Sequence, residues 1–242
     1  MIKENERLDD LHRCGYMLIQ DPKRFCFGID AVLLSGFCNV ATGDRVLDLG
    51  TGTGVIPILL AAKTKAAQLI GVEIQEESAD MARRSVEYNK LTERVSIIHG
   101  DLKGVETLID RHSFDVVVSN PPYMKVGSGA AGEFSAKAVA RHELEMSLDD
   151  CIRAAAYALK FGGKLYMVHR PTRLADIIYT LRTHKLEPKQ IRFVQPYVSK
   201  EPNLVLIEAR SGGGAELRVM PPLVVYEADG SYTEECYEIY YK

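Results

Sequence analysis

The tetrapeptide Asn120-Pro121-Pro122-Tyr123 directly follows an apolar run, Phe114–Ser119, that is typical of a buried strand. Asn120 brings a side-chain amide oxygen, and Pro121 brings a backbone carbonyl held in place by the fixed φ of two prolines. Two such acceptors can bind both N–H groups of an exocyclic amine or an amide, whose lone pair is otherwise delocalised. Tyr123 offers a ring face to a planar group. The segment therefore predicts activation of a planar nitrogen, with a plain Pro-Pro turn as the alternative.

A glycine-rich turn follows another short apolar strand, in the run Val46-Leu47-Asp48-Leu49-Gly50-Thr51-Gly52-Thr53-Gly54. Glycines here permit positive φ and let the backbone approach a ligand closely. A dinucleotide fingerprint would need glycine where the chain has Val55, so the register is wrong for a dehydrogenase. The carboxylate of Asp48 would repel a pyrophosphate and favours a ligand that carries an amine. The pattern indicates a ligand that is cationic at this end.

Acidic side chains also follow the next two predicted strands. Glu73 ends the run Ala67–Glu73, and Asp101 follows the run Val95–Gly100. Because ligands of such sheets bind at the carboxyl ends of the strands, Glu73 is predicted to accept both ribose hydroxyls of a nucleoside and Asp101 the adenine amino group. Each acid alone is equally well explained as a solvated strand end or a helix cap, and the glycines as a tight turn. The combination is what indicates a nucleoside site.

From Arg45 onwards, short apolar runs alternate with longer amphipathic ones, which is typical of a parallel sheet with crossover helices. We predict an α/β fold with a seven-stranded, mostly parallel sheet. Two extended runs, Gln190–Gln195 and Asn203–Ala209, have no helix between them and predict an antiparallel hairpin at one end. Further predicted elements are a strand near Tyr16–Ile19, helices at Ala31–Phe37, Leu148–Lys160, Thr172–His184 and Thr233–Tyr241, and a possible strand within Leu217–Tyr226.

Composition excludes several classes of protein. The 242 residues are 46% hydrophobic, but the apolar runs are far shorter than the roughly 20 residues of a membrane span, and the N-terminus has no signal-peptide pattern. Five widely spaced cysteines give no disulfide framework, and they lack the spacing of metal ligands, so no metal is expected. The formal net charge of −3 argues against a surface built to coat nucleic acid. A cytoplasmic protein is expected, with a monomer slightly favoured.

With these residues in view, the segment from about 30 to 210 resembles the class I, Rossmann-like methyltransferases that use S-adenosylmethionine. The resemblance implies that Gly50, Gly52 and Gly54 pass beneath the cofactor, that Glu73 holds its ribose, and that Asp101 contacts its adenine. Leu102 would cover one face of that adenine. Residues 1–40 would form an N-terminal extension packed on the cofactor site, and residues 41–242 the catalytic domain.

The tetrapeptide is similar to the N-P-P-Y motif of amino-methyltransferases, which act on adenine N6, cytosine N4 or the glutamine amide. The segment Phe27-Gly28-Ile29-Asp30-Ala31-Val32-Leu33-Leu34 and the later Arg141-His142-Glu143 resemble bacterial tRNA (adenine-N6)-methyltransferases that modify valine tRNA. This resemblance implies that Phe25, Phe27 and Asp30 lie near the methionine end of the cofactor. Glutamine methyltransferases of translation factors share a similar glycine and acid, so they remain the alternative.

Two features favour RNA over a protein substrate. Only residues 1–44 precede the first sheet strand, which leaves little room for the helical recognition domain of the glutamine enzymes. Basic residues also recur where RNA would approach, and their alternative is a solvated charged face. They are Lys23, Arg24, Lys125, Arg170, Arg173, Arg182, Lys185 and Lys189. The segment Met124–Arg141 is predicted to be a loop that orders over substrate, and His142 to be a surface residue more readily than a catalytic one. A non-catalytic binding module with the same fold is the third hypothesis.

Overall fold

The computed structural model describes residues 2–24, 26–123 and 147–241. Its first element is an antiparallel hairpin of two strands, β1 (Arg7–Asp10) and β2 (Met17–Gln20). The second strand was predicted from its apolar residues. The first was not, because its sequence, Arg-Leu-Asp-Asp, has no apolar alternation to reveal it. Side chains at the end of a later helix complete the free edge of β2. Asn89, directly after that helix, bonds both backbone groups of Met17, and the Ser85 hydroxyl accepts from the Ile19 N–H at 2.9 Å.

A central sheet and the helices on its two faces make up the rest of the described chain. Its strands are β3 (Arg45–Leu49), β4 (Gln68–Glu73), β5 (Val95–His99), β6 (Phe114–Ser119), β7 (Leu159–His169), β8 (Leu186–Gln195), β9 (Leu204–Ser211), β10 (Arg218–Val219) and β11 (Leu223–Val224). The helices are α1 (Ile29–Phe37), α2 (Val55–Lys63), α3 (Glu76–Tyr88), α4 (Leu148–Ala158), α5 (Leu174–Thr183) and α6 (Glu234–Tyr241). Short 3-10 turns lie at Leu102–Thr107 and Pro171–Arg173.

The strand order confirms the predicted α/β fold. From one side the order is β8, β9, β7, β6, β3, β4, β5, and the last five of these strands are mutually parallel. Strand β9 lies antiparallel between β7 and β8, which gives the predicted hairpin. Within the described residues the sheet has nine strands rather than the predicted seven, because β10 and β11 add two short parallel pairings to β8. The possible strand at 217–226 is split by Pro221-Pro222, which cannot donate to a ladder.

Alternate residues of the strands fill two apolar layers, as the two-residue period of a strand requires. Val46, Val116 and Val118 face one cluster, which includes residues of α1, α2 and α3 together with the N-terminal hairpin and Cys236 of α6. Leu47 and Val117 face the other cluster, which α4 and α5 cover. The first cluster contains residues from both sides of position 40, so the segment before it shares a core with the segment after it. The predicted domain division at that position stays a prediction. None of the helices in the described ranges is long and apolar enough to cross a membrane.

The turn after β3 fits against β4 only because β4 has glycine at the contact. Gly71 is the register partner of Asp48, and a Cβ atom built on it would lie 2.7 Å from both Oγ1 and Cγ2 of Thr51. Thr51 is itself buried, so it cannot swing into solvent. The bare backbone of Gly71 therefore makes the space in which the glycine-rich turn sits.

Replacing Gly71 by alanine is expected to destabilise the protein by about 1 to 3 kcal/mol, since the added methyl must displace Thr51 or the strand. The matched control is Gly214→Ala, because a Cβ there meets none of the described atoms within 4 Å and the backbone φ is ordinary. The control is expected to stay within about 0.5 kcal/mol of the parent. Urea unfolding of the three proteins measures both values, and equal stabilities for the two variants would contradict the close fit.

Candidate active site

The glycine-rich turn lies at the carboxyl end of β3, and its three glycines adopt backbone angles that other residues rarely reach. Gly50, Gly52 and Gly54 have φ values of 74°, 56° and 86°. The N–H groups of Gly50 and Thr51 both donate to the Val72 carbonyl, at 2.9 and 3.0 Å, which ties the turn to β4. A Cβ added to Gly52 would meet no described atom within 4 Å, so this backbone borders open space. A ligand can therefore approach the turn at Gly52 without a side chain in its way.

Glu73 lies buried at the end of β4, and its carboxylate holds the turn in place. One oxygen accepts from the N–H of Gly52 at 2.8 Å, and the other accepts from the N–H of Gln75 at 2.9 Å. Each carboxylate oxygen has a second lone pair. The predicted contact with ribose hydroxyls is compatible with this arrangement and stays a prediction. What the sequence did not indicate is that Glu73 also fixes the loop conformation.

Asp101 and Leu102 follow β5 at the same edge of the sheet. Asp101 is exposed and caps the 3-10 turn, because its Oδ1 accepts from the N–H of Lys103 at 2.9 Å. Leu102 is buried, with 5% of its surface exposed. The helix-cap explanation of Asp101 is thus realised, and its second carboxylate oxygen is left for the predicted adenine contact. Both roles at the adenine stay predictions.

Asp48 is buried beneath the turn, and no described side chain or backbone group forms a hydrogen bond with its carboxylate. Within the described part of the chain the Thr51 hydroxyl lacks a hydrogen-bond partner too. Burial raises the pKa of Asp48 to about 7, while the nearby Thr51 hydroxyl acts in the opposite direction without bonding to it in ordinary geometry. The charge of Glu73 contributes to this raised pKa. A buried carboxylate with two unused oxygens fits a cationic ligand, as the sequence predicted.

The tetrapeptide begins where β6 leaves the sheet, beside the end of β3. Ser119, the last residue of β6, is fully buried, and its hydroxyl donates to the Leu49 carbonyl at 2.9 Å. The thiol of Cys151 donates to the same hydroxyl oxygen at 3.2 Å. Leu49 and Ser119 are also register partners in the parallel ladder. The first residue of the glycine-rich turn and the first residue of the tetrapeptide are therefore held side by side.

Tyr123 points into the protein and joins two elements that are far apart in the sequence. Its hydroxyl lies 2.5 Å from Oδ2 of Asp30 and 2.5 Å from Oδ1 of Asn120. Its ring is 5.3 Å from the ring of His169, and the guanidinium of Arg170 lies 5.1 Å from its centroid. Burial, followed by the charge of Asp30, raises the pKa of the Tyr123 hydroxyl. The predicted stacking face is thus partly covered by Arg170, and stacking on Tyr123 stays a prediction.

The N-terminal hairpin positions the residues predicted at the methionine end of the cofactor. The side chain of Gln20, at the end of β2, accepts from the N–H of Phe27 at 2.9 Å. Asp30 then lies in the first turn of α1, where its Oδ1 accepts from the N–H of Ala31 at 2.9 Å. The structure therefore brings Asp30 to the tetrapeptide. A contact between the cofactor and Phe27 or Asp30 stays a prediction.

His169 is a site residue that sequence reasoning missed. It is buried at the end of β7, and its Nδ1 accepts from the N–H of Arg170 at 2.8 Å. Burial, followed by the charge of Arg173, lowers its pKa to about 4. A neutral ring that accepts at Nδ1 carries its proton on Nε2. The available signal was its position, because His169 ends a predicted parallel strand, as Glu73 does.

The predicted basic cluster divides between opposite edges of the sheet. Arg170 and Arg173 follow the carboxyl end of β7 beside the tetrapeptide. Strand β9 is antiparallel to both β7 and β8, so β8 runs in the same direction as β7. The amino end of β8 is the location of Arg182, Lys185 and Lys189. These three residues therefore lie at the opposite edge, and the prediction that they share one surface with the site is wrong. Basic spacing in the sequence does not show at which edge of a sheet a connection lies.

Some predictions concern residues outside the described ranges. They are Phe25, Lys125, the loop at 124–141 and the Arg141-His142-Glu143 segment. Within the described ranges, the acids and histidines form no group of three or more that could hold a metal ion.

The sheet order, the glycine-rich turn after its first parallel strand, the acids at the next two strand ends and the N-P-P-Y segment at the fourth together define a Rossmann-like class I methyltransferase. Residues 28–183 match the family model described as the methyltransferase small domain. The chain belongs to this family.

Relatives of similar length extend the match beyond the family model. A tRNA1(Val) (adenine(37)-N6)-methyltransferase of Porphyromonas gingivalis is 31% identical over 216 residues, which cover 86% of this chain and 84% of the relative. A protein with the same description from Aeromonas hydrophila is 30% identical over 209 residues, covering 86% of this chain and 85% of the relative. The similarity thus extends over most of each chain.

Solved structures share the fold. A predicted O-methyltransferase from Agrobacterium tumefaciens superposes with a TM-score of 0.72 at 25% identity, covering 87% of this chain and 94% of that one. The geranyl diphosphate C-methyltransferase of Streptomyces coelicolor, crystallised with S-adenosyl-L-homocysteine, gives a TM-score of 0.55 at 14% identity over 75% of this chain and 74% of that one. At such low identity the second likeness shows the fold alone.

The buried carboxylate makes stability depend on pH in a direction opposite to that of an ordinary aspartate. Because the folded-state pKa of Asp48, about 7, lies above the ordinary aspartate pKa of the unfolded chain, its contribution to stability is fully present at low pH and is lost as pH rises through 7. Between pH 5 and pH 8 the loss amounts to about 2 to 3 kcal/mol. Asp48→Asn removes this titration. In urea unfolding without added ligand, the difference between variant and parent should grow in favour of the variant by that amount; a constant difference would contradict the buried charge.

Proposed function

We propose that the protein transfers a methyl group from S-adenosylmethionine to N6 of an adenine in tRNA. The observation that carries the proposal is the fixed placement of Asn120 and Pro121 beside the glycine-rich turn, through the Ser119 hydroxyl and the Leu49 carbonyl. The names of the relatives, which describe adenine-N6 methylation of valine tRNA, support the same substrate class. Such a substrate is in keeping with a cytoplasmic location.

The residues present fit the proposed cofactor. Asp48 has two buried, unused oxygens for the cationic methionine end, and Gly52 borders open space where the cofactor can pass. We assign the turn glycines, Gly50, Gly52 and Gly54, to the underside of the cofactor, Glu73 to the ribose, and Asp101 with Leu102 to the adenine. Phe27 and Asp30, which the N-terminal hairpin positions, are proposed to cover the methionine end. On this proposal residues 1–40 close the site that the catalytic domain at 41–242 builds.

The chemistry expected of this chain is activation of the acceptor nitrogen. S-adenosylmethionine supplies an electrophilic methyl group on a sulfonium. The adenine amino nitrogen is a poor nucleophile, because its lone pair is delocalised into the ring. The amide oxygen of Asn120 and the carbonyl of Pro121 accept its two N–H groups and favour the pyramidal geometry in which the lone pair faces the methyl group. These bonds strengthen as positive charge develops on nitrogen, so they stabilise the transition state more than the ground state.

A glutamine amide in a protein is the second candidate acceptor, because it has the same planar nitrogen. The names of the relatives favour RNA. Incubation with labelled cofactor, total tRNA and translation factors decides between them. Label in N6-methyladenosine of tRNA is the expected result. Label in protein alone would replace the proposal with glutamine methylation, and no label in either would reject both acceptors.

Replacing Asn120 by alanine tests the proposed acceptor. The rate of methyl transfer should fall about 10²-fold or more, because one transition-state hydrogen-bond partner is lost. The affinity for S-adenosylmethionine, measured by calorimetry, should change little. Asn39→Ala is the matched control, since Asn39 is exposed beyond the opposite end of α1. An unchanged rate in Asn120→Ala would exclude the role of Asn120.

The division of basic residues between two edges makes a second test possible. Lys23, before α1, and Lys200, in the connection after β8, are exposed and flank the carboxyl edge. The double variant Lys23→Ala with Lys200→Ala should weaken tRNA binding and reduce the salt slope by about 0.7 to 0.9 for each lost phosphate contact. The matched double variant Arg182→Ala with Lys185→Ala, at the opposite edge, should bind tRNA as the parent does. Equal losses in both variants, measured by salt titration of binding, would contradict approach from the carboxyl edge.

A further inference from the structure

The hydroxyl of Tyr123 lies between two acceptors but has one proton to donate. Oδ2 of Asp30 and Oδ1 of Asn120 are each 2.5 Å from the hydroxyl oxygen. An ionised carboxylate and an amide oxygen both accept hydrogen bonds, and neither can donate one back. With the amide oxygen of Asn120 turned to Tyr123, one of the two contacts would bring oxygen against oxygen with no proton between them. The side-chain amide of Asn120 resolves the conflict, because a half-turn about its last bond exchanges its oxygen for its NH₂ group.

Asp30 cannot make a matching exchange. Its Oδ1 accepts from the N–H of Ala31 at 2.9 Å, in the first turn of α1, and Asp30 is 9% exposed. Its Oδ2 is therefore the oxygen that faces Tyr123. Hydrogen bonds to a carboxylate are roughly twice as strong as those between neutral groups, so the Tyr123 proton goes to Asp30. The Tyr123 oxygen is then an acceptor for the NH₂ group of Asn120.

We propose that Asp30 is a positioning residue: by taking the Tyr123 proton it obliges Asn120 to turn its NH₂ group to Tyr123 and its amide oxygen to the methyl-accepting nitrogen. This inference rests on the proposed function for the identity of the acceptor. It assigns Asp30 a role distinct from contact with the cofactor. It also explains why a tyrosine is useful at the end of the tetrapeptide, since phenylalanine has the same ring but cannot set the orientation of the amide.

The surroundings of Tyr123 keep this arrangement intact. Burial and the charge of Asp30 raise the pKa of the hydroxyl, so the proton that Asp30 accepts is present at neutral pH. Arg170 covers one side of the ring and donates to the Asn203 carbonyl at 3.0 Å, while His169 lies against the ring at 5.3 Å. Gly28 leaves room for the carboxylate, because a Cβ there would lie 3.0 Å from Oδ1 of Asp30. Asp30, Tyr123 and Asn120 thus form a connected series from α1 to the reacting nitrogen.

A double-mutant cycle tests the proposal through the sign of the coupling. Tyr123→Phe frees the Asn120 amide to adopt either orientation, so kcat should fall about 3- to 10-fold. Asp30→Asn should be worse, about 30- to 100-fold. The Ala31 N–H keeps an oxygen at Oδ1, so the substituted amide presents NH₂ to Tyr123, which then donates to Asn120 and holds its oxygen away from the substrate. The double variant should recover to the level of Tyr123→Phe alone, a several-fold rescue of Asp30→Asn.

The opposite results would assign Asp30 a different role. If covering the cofactor is the whole role of Asp30, adding Tyr123→Phe to Asp30→Asn will deepen the loss of kcat instead of relieving it. Either additive losses or the absence of rescue overturns the proposal. Tyr166→Phe, which removes another buried hydroxyl far from Asp30, is the matched control and should leave kcat unchanged.

A measurement without substrate separates this inference from the proposed function. In the ¹⁵N-labelled protein, the side-chain amide of Asn120 is identified by its disappearance in Asn120→Ala. One of its N–H groups should be protected from solvent exchange in the parent, and that protection should be lost in both Asp30→Asn and Tyr123→Phe. Equal exchange in the three proteins would overturn the positioning role even if tRNA is methylated. Protection lost as expected, with no methylation of tRNA, would overturn the proposed substrate alone.

Discussion

The parallel pairing of β3 with β6 is the constraint on which the site depends. Leu49 and Ser119 are register partners and the last residues of their strands. Strand β3 is followed by Gly50 and strand β6 by Asn120. Neighbouring strands lie about 4.8 Å apart, so the turn and the tetrapeptide start within one strand spacing of each other. A slip of one residue would exchange the faces of every side chain in β6 and remove Ser119 from the Leu49 carbonyl. The apolar layers on both faces, which β6 fills with alternate valines, hold that register.

Stability and function make opposite demands at this edge. Asp48 is buried with no partner among the described residues, and the three turn glycines hold left-handed backbone angles. An apolar side chain in place of Asp48 would suit the fold better, since a buried charge without a partner is destabilising. The Asp48 carboxylate is explained if a cationic ligand supplies the opposite charge. Glu73 differs, because its carboxylate accepts hydrogen bonds from the backbone N–H groups of Gly52 and Gln75.

The residues that could be predicted from the sequence are those whose effect is local. Each of these features depends on its immediate neighbours in the chain and can be recognised from them. They are the glycines of the turn, the acids Asp48 and Glu73 near strand ends, and the Asn-Pro-Pro-Tyr segment. The missed features depend on partners distant in sequence. Gln20 contacts Phe27 across a loop, His169 gains its environment from burial, and Tyr123 finds Asp30 across 93 positions. Arg182 and Lys185 lie at the opposite edge because α5 connects β7 to β8 and these two strands are parallel, and the spacing of basic residues alone does not show this polarity.

The contact between Asp30 and Tyr123 also links the N-terminal part of the chain to Asn120, the residue proposed to bind the acceptor nitrogen. The hairpin of β1 and β2 is tied to α3 through Asn89, and its Gln20 fixes Phe27, two residues before α1 begins. A change in the hairpin can thus reach Asn120 through Asp30 and Tyr123, without touching the glycine-rich turn. Cofactor binding through the turn and orientation of the acceptor amide through α1 are therefore separable in this fold. They meet at one pair of adjacent strand ends, and the sequence between them, from Gly54 to Ser119, builds the layer that keeps those ends together.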